Sequence, residues 1–289
     1  MSTTTGTQPI ERVALGALYV FTAAAVAGYG WYGLDPSRLP EMDFALKIYN
    51  VSFQFFAQTQ ILFALAVLLV PLVRRVGVRL LPPFLAVAAI SFLSEHIGTG
   101  YGIPFGGYGY TGLLGARIGP RVPALIPISW FLMALPGWIL ARAVLPGPGR
   151  RTGRVLLGAA WLVTWDLALD PAMSFLTPYW RWEETGPYYG MPWMNLAGWY
   201  ATGIVLLLAL DLLAGWAKLD RLPTRWMAGF YGAMVLMPLG MLAAAGAWPA
   251  VVVTLIATAV LALASRVVSR ARVSAVETLD APSSESVAA

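Results

Sequence analysis

Long apolar runs, broken by short clusters of arginine, glycine or aromatic residues, dominate this 289-residue chain. In helical form about 20 apolar residues cross a hydrocarbon core about 30 Å thick. Eight runs reach that length, at 12–33, 51–73, 80–98, 123–145, 153–176, 194–216, 225–245 and 248–268. They predict an all-α fold: a polytopic integral membrane protein with one transmembrane helical domain over 12–272. The stretches 1–11 and 273–289 contain few large apolar residues and predict disordered ends. The first run lacks a basic leading region and a small-residue cleavage site, and it ends in Tyr29, Trp31 and Tyr32, so it reads as a retained helix and not as a signal peptide. Residues 99–121 hold too much glycine and aromatic side chain for a spanning helix. They predict a re-entrant cap whose backbone lines a cavity.

Composition narrows the class further. With 58% hydrophobic and 11% charged residues, the chain has too little polar surface to cover a soluble globule. It has no cysteine, which excludes disulfides, thiolate nucleophiles and zinc–thiolate sites. The net charge of +5 comes from basic residues at the ends of apolar runs, a topology signal and not a nucleic-acid-binding face. With a cytoplasmic N-terminus, 14 Lys and Arg fall on the inner side and five on the outer side (Arg38, Lys47, Arg117, Arg121 and Arg181). The bias predicts a cell-membrane protein with both termini in the cytoplasm.

Against this apolar background three carboxylates stand out: Glu95, Asp166 and Asp170. An ionised carboxylate near the bilayer centre costs about 2.5–3.5 kcal/mol on insertion scales, so each needs a partner or a function. The third and fifth runs both point outward, and helical rise puts all three acids at one level in the outer third. Asn50, Gln54 and Gln58, spaced i, i+4 and i+8, line one face of the second run at the same side, and Asn195 opens the sixth run there. Four helices thus bring polar groups to one layer, which predicts a hydrophilic pocket opening outward.

Plainer roles exist for several of these residues. Gln54 and Gln58 also suit interhelical hydrogen bonding. His96 points about 100° from Glu95 on a helix and suits a structural hydrogen bond. Asp211 lies near the inner end of its run, where an ion pair with Lys218 is expected. Trp31, Trp180, Trp182, Trp193 and Trp248 fall where interfacial aromatic belts occur. Asp166 and Asp170 fit such roles least: at i, i+4 they share a face, and no basic residue lies within their run. Two desolvated carboxylates side by side cannot both ionise cheaply, so the pair is expected to share a proton. That makes a buried Brønsted acid, and Trp161, Trp165, Trp180 and Trp182 offer π faces to a cation formed beside it.

Five local patterns carry a resemblance. They are Ser94-Glu95-His96-Ile97-Gly98-Thr99-Gly100; Gly102-Ile103-Pro104-Phe105-Gly106-Gly107-Tyr108-Gly109-Tyr110; Asp166 with Asp170-Pro171; Trp180-Arg181-Trp182; and Tyr188-Tyr189-Gly190-Met191-Pro192-Trp193-Met194-Asn195 with Gly198-Trp199. Together they closely resemble the CruF family of membrane carotenoid 1',2'-hydratases, a family that includes bisanhydrobacterioruberin hydratase. The resemblance runs from the second run to the sixth; the last two runs carry no motif. It implies addition of water, with no redox cofactor and no metal, to the terminal double bond of a linear (ψ) carotenoid such as lycopene, γ-carotene or a bisanhydrobacterioruberin-like molecule, giving a tertiary alcohol. The partners implied are that carotenoid, water and membrane lipid, with no nucleic acid.

In physical terms an acid protonates one alkene carbon and water guided by a base attacks the tertiary cation. Asp166 is the expected acid, Asp170 the carboxylate sharing its proton, and Glu95 the group that orients or deprotonates water. Asn195, Tyr108, Tyr110, Gln54 and Gln58 are candidates for holding water, and Trp165 and Trp182 for contacting substrate. A carotenoid is about as long as the hydrocarbon core is thick, so one end lying along the membrane normal meets the acid layer.

Two other classes share some of these features. Asp166-x-x-x-Asp170 resembles half of the metal–diphosphate signature of UbiA-type prenyltransferases, which would add Mg²⁺; Asp35, Glu41 and Asp43 do not supply the spacing of its second half. A proton-coupled transporter also uses intramembrane acids, but needs polar residues at the inner level, where this chain has few.

Overall fold

The computed structural model describes residues 6–280. Among the described residues eight helices are long and apolar enough to cross a membrane. They are α1 (Pro9–Gly28), α2 (Asp43–Arg75), α3 (Leu81–Tyr101), α4 (Leu125–Val144), α5 (Arg151–Asp170), α6 (Trp193–Ala217), α7 (Thr224–Ala244) and α8 (Trp248–Asp280). This is the all-α polytopic architecture that the apolar runs predict. Two boundaries differ from expectation: α2 starts at Asp43, well before residue 51, and α8 continues past 268 to Asp280. Residues 1–5 and 281–289, parts of the two expected disordered ends, lie outside the described residues.

The innermost helix is α4, where Trp130, Phe131, Leu132, Met133, Leu135 and Trp138 are at most 2% exposed. A helix apolar all round is stable only when covered on every side, and α5, α3, α7 and α2 surround this one. Glycine sets the spacing: a Cβ on Gly137 would stand 3.0 Å from the Gly158 carbonyl, and one on Gly158 2.7 Å from Leu207. Small residues thus let α4, α5 and α6 approach closely, the usual device where lipid supplies no hydrophobic drive between helices. Outward faces of α1, α3 and α8 expose Val13, Val20, Leu85, Leu93, Ile256 and Leu263, a surface suited to lipid.

The buried ionic contacts gather at one end of the bundle. Glu11, at the start of α1, is fully buried and takes a bidentate contact from Arg75 at the end of α2, at 2.9 and 3.0 Å. Asp211 of α6 pairs with Arg154 at 2.5 Å and Arg151 at 3.0 Å, and also accepts from the Trp138 indole at 2.9 Å. The expected partner Lys218 is displaced from this role. Antiparallel packing sets the start of α5 beside the end of α6, whereas Lys218 caps α6 in a left-handed conformation, φ +56°.

At the other end the chain builds a cap. After α3 it turns at Gly102, φ +71°, and forms β1 (Tyr108–Tyr110), β2 (Arg117–Ile118) and β3 (Val122–Pro123) before α4. β2 pairs with β3, and β1 pairs antiparallel with β4 (Trp180–Trp182), Tyr108 facing Trp182 and Tyr110 facing Trp180. Strand alternation puts those four rings on one face and Gly109 and Arg181 on the other. The cap docks on α6 at Gly198, where a Cβ would stand 2.4 Å from the Pro104 carbonyl oxygen. Between α5 and β4 the chain widens into a π-helical turn, Pro171–Leu176, beginning at a proline that has no N–H to donate.

Candidate functional site

Beneath the cap α3 presents Glu95, 4% exposed, to three neutral donors. Its Oε2 accepts from the hydroxyls of Tyr108, in a short contact, and Tyr110, at 2.7 Å; its Oε1 accepts from the Trp130 indole at 2.9 Å. A carboxylate offers about four acceptor sites, so one remains on Oε1. Burial raises the pKa of both tyrosines well above the usual value of 10.0, and the Glu95 charge raises them further. Both hydroxyls therefore stay protonated and serve as donors.

Across the cavity α5 ends in the acid pair. Asn195 Nδ2 donates to Asp166 Oδ2 and Asp170 Oδ2, each at 3.0 Å, so one amide bridges both. Asp170 Oδ1 accepts from the Ser174 hydroxyl at 2.7 Å and the Trp182 indole at 3.1 Å. The π-helical turn supplies the first of these donors and β4 the second. Asp166 has only the Asn195 contact; its Oδ1 is buried and unpartnered.

Most of these groups bound a cavity of about 90 Å³ whose wall is otherwise largely apolar and aromatic, with Gln60 and Ser129 as further polar members. Glu95, Asp170, Asn195, Tyr108, Tyr110, Trp165, Trp180 and Trp182 all line it, so α3, α5, α6 and the cap converge on one enclosure. Trp130 and Trp199 add two indoles stacked at 4.0 Å between ring centres. Among the described residues lining it there is no Lys or Arg.

Other candidates fall elsewhere. Asp166 is fully buried but does not form the cavity wall. Trp161 packs on Tyr231 and borders hollows beside α8, with its indole N–H unpartnered. Gln58 donates to the Leu113 carbonyl at 3.2 Å, fixing the cap, and Gln54 is exposed. The amide of α2 that does reach the wall is Gln60, bonded to Thr22 at 3.1 Å. His96 stacks on Phe92, with ring centres 5.8 Å apart.

Sequence reading passed over Gln60, Ser174, Trp130, Met234 and Met237. Gln60 lies off the helical face that Gln54 and Gln58 share, and Ser174 is polar only in reach of Asp170. Trp130 left a usable signal, an indole N–H in a helix buried all round that requires an acceptor. The methionines of α7 left none, since apolar wall residues look like any core.

Fold and site together define a class: a polytopic helical membrane protein with acids buried among neutral donors, facing a cavity walled by indoles. Residues 56–261 match the family model described as carotenoid biosynthesis protein, and the chain belongs to that family. It is 33% identical over 143 residues to bisanhydrobacterioruberin hydratase of Haloarcula japonica. The match covers 49% of this chain and 47% of that protein, so the chain spans about half the length of this curated relative. No solved structure matches the chain.

Proposed function

We propose that this chain is a carotenoid hydratase that adds water across the terminal 1',2' double bond of a linear carotenoid end, giving a tertiary alcohol. One observation carries the reading. Asp170 and Glu95 face each other's cavity from different helices, held by neutral donors, in an enclosure of indole faces. An apolar alkene end fits such a wall, and the acids supply the proton and the base that hydration needs.

Hydrogen bonding divides the roles. Asp170 accepts three bonds and Asp166 one, so the shared proton rests on Asp166, the deeper member. Asp170 stands at the wall and takes the delivering position that the sequence reading gave to Asp166. For turnover that proton moves from Asp166 to Asp170, whose acid form protonates the less substituted alkene carbon; the π electrons form the new C–H bond and leave a tertiary cation. The indoles of Trp130, Trp165, Trp180, Trp182 and Trp199 stabilise that cation through their π faces. Water held at the free acceptor site of Glu95 attacks it and gives up a proton to the carboxylate. Return of that proton to the aspartate pair resets the site, so the net change is one water added, with no oxidant or cofactor consumed.

The test is pigment analysis of a host that makes lycopene or γ-carotene, with and without this chain. A carotenoid heavier by one water, carrying heavy oxygen when made in isotopically labelled water, is the expected result. Unchanged pigment in a membrane where the protein is inserted would overturn the reading.

A further inference from the structure

The cavity of about 90 Å³ holds only a few water-sized groups, far less than a carotenoid. Most of any such substrate must lie elsewhere. A second, larger hollow of about 490 Å³ lies between the end of α1 and the start of α2, and Tyr179 and Met237 belong to the walls of both. Its lining includes Tyr29, Ile48, Tyr49, Ser52 and Phe56. Three polar ends there are already engaged: the Tyr179 hydroxyl donates to the Phe53 carbonyl at 2.8 Å, Tyr49 to the Gly33 carbonyl at 3.1 Å, and Ser52 to the Tyr49 carbonyl at 2.7 Å. What remains for a ligand is chiefly ring face and hydrocarbon, with the Tyr32 hydroxyl on a ring that is 41% exposed.

Resting on the hydratase reading, we infer that this hollow is the polyene channel of the same site. The end group reaches Asp170 and Glu95, and the conjugated chain leaves past Tyr179 and Met237 between α1 and α2. The π-helical turn Tyr29–Gly33 and the loop before Asp43 join the two helices there and line the hollow. Met237 is the movable side of the gate, an unbranched side chain, while Tyr179 is fixed by its hydroxyl and by backbone bonds to Met173 and Thr111. The channel contributes length selectivity, and its walls make no contact with the reacting carbons.

The experiment compares a long carotenoid with a short terpene bearing the same terminal alkene, using the full chain in lipid vesicles. Ser52→Trp and the milder Ile48→Trp, whose site is half exposed, both place an indole in the channel. The expected result is a fall of at least about tenfold in the ratio of long to short turnover, carried by KM for the long substrate. An unchanged ratio in both variants overturns the channel, whether activity is kept or lost on both substrates. If the wild type hydrates neither compound, the hydratase reading has failed. The channel is then judged by carotenoid retained on purification, where retention by Ile48→Trp equal to wild type overturns it and the presence of phospholipid instead assigns the hollow to an acyl chain.

Discussion

Two buried acid clusters occupy opposite ends of this bundle, and they are solved differently. Asp211 meets two guanidinium groups and an indole within 3.0 Å, so its charge is neutralised where it stands. Glu95, Asp166 and Asp170 are as deeply buried, yet their partners are phenols, indoles, a hydroxyl and one amide. A compensated acid is held as an anion and resists change of protonation, which suits a structural joint between α5 and α6. An acid with neutral donors keeps its proton exchangeable, at the cost of stability. On the proposed reading one cluster holds the helices and the other carries the chemistry, and substitutions at each should separate the two.

The largest effect is expected at Asp170. Asp170→Asn keeps shape and the Ser174 and Trp182 neighbours but removes the transferable proton, so hydration should fall by at least about 100-fold. Thermal unfolding of the purified protein should be unchanged or shifted slightly upward, because a costly buried acid is gone. Near-normal hydroxycarotenoid from this variant would break the comparison at its functional end.

Asp211→Asn should do the opposite. It leaves Arg154, 7% exposed at its side chain, without its anion, and breaking a buried pair this way costs about 3–5 kcal/mol. Unfolding temperature should drop sharply while turnover per folded molecule stays at the wild-type level. Replacing both partners with apolar residues, Asp211→Leu with Arg154→Met, should recover much of that loss. A stable Asp211→Asn with reduced turnover would reverse the assignment.

A smaller effect tests whether the cap sets the acid geometry. A Cβ at Gly198 would stand 2.4 Å from the Pro104 carbonyl oxygen, so Gly198→Ala must push the cap away from α6. Displacement of Tyr108 and Tyr110 by a fraction of an ångström should lower hydration about tenfold with modest loss of stability. Gly149→Ala, where a Cβ meets nothing within 4 Å, is the matched control.

How much of this was legible beforehand follows from what each signal measures. Span length and hydropathy are local, so eight helices and the shared depth of Glu95, Asp166, Asp170 and Asn195 could be read directly. Partner choice is not local. Asp211 was assigned Lys218 because the two are close in sequence, while Arg151 and Arg154 reach it from an antiparallel neighbour. The paired cap strands β1 and β4 are three residues long, too short for alternation to stand out, so Tyr108 and Tyr110 were named only through resemblance and Trp182 only as an aromatic face, with no strand behind it. The row of Gln54 and Gln58 misled because a helical face says nothing about which neighbour it meets; Gln60, off that face, is the one at the wall.

The finest test concerns the neutrality of the donors around Glu95, on which the contrast depends. Tyr108 and Tyr110 lie in the cap, and burial first, then the Glu95 charge, raises both above 10.0. For a group whose folded value is raised, the stabilising effect is complete below the unfolded value, near pH 10, and is lost only as pH rises through the higher folded values. From pH 7 to about pH 10 the two hydroxyls should therefore neither ionise nor change their bonds to Glu95. Any variation of turnover in that window should persist with the same shape in Tyr110→Phe, at a lower level because one donor to Glu95 is missing. Ultraviolet titration of the folded protein checks the premise directly: a tyrosinate signal that grows below pH 10 in step with lost activity, and is absent from Tyr110→Phe, would make a charged phenol part of the site. The distinction between a cluster held by charge and a cluster held by neutral donors would then no longer separate structure from chemistry in this protein.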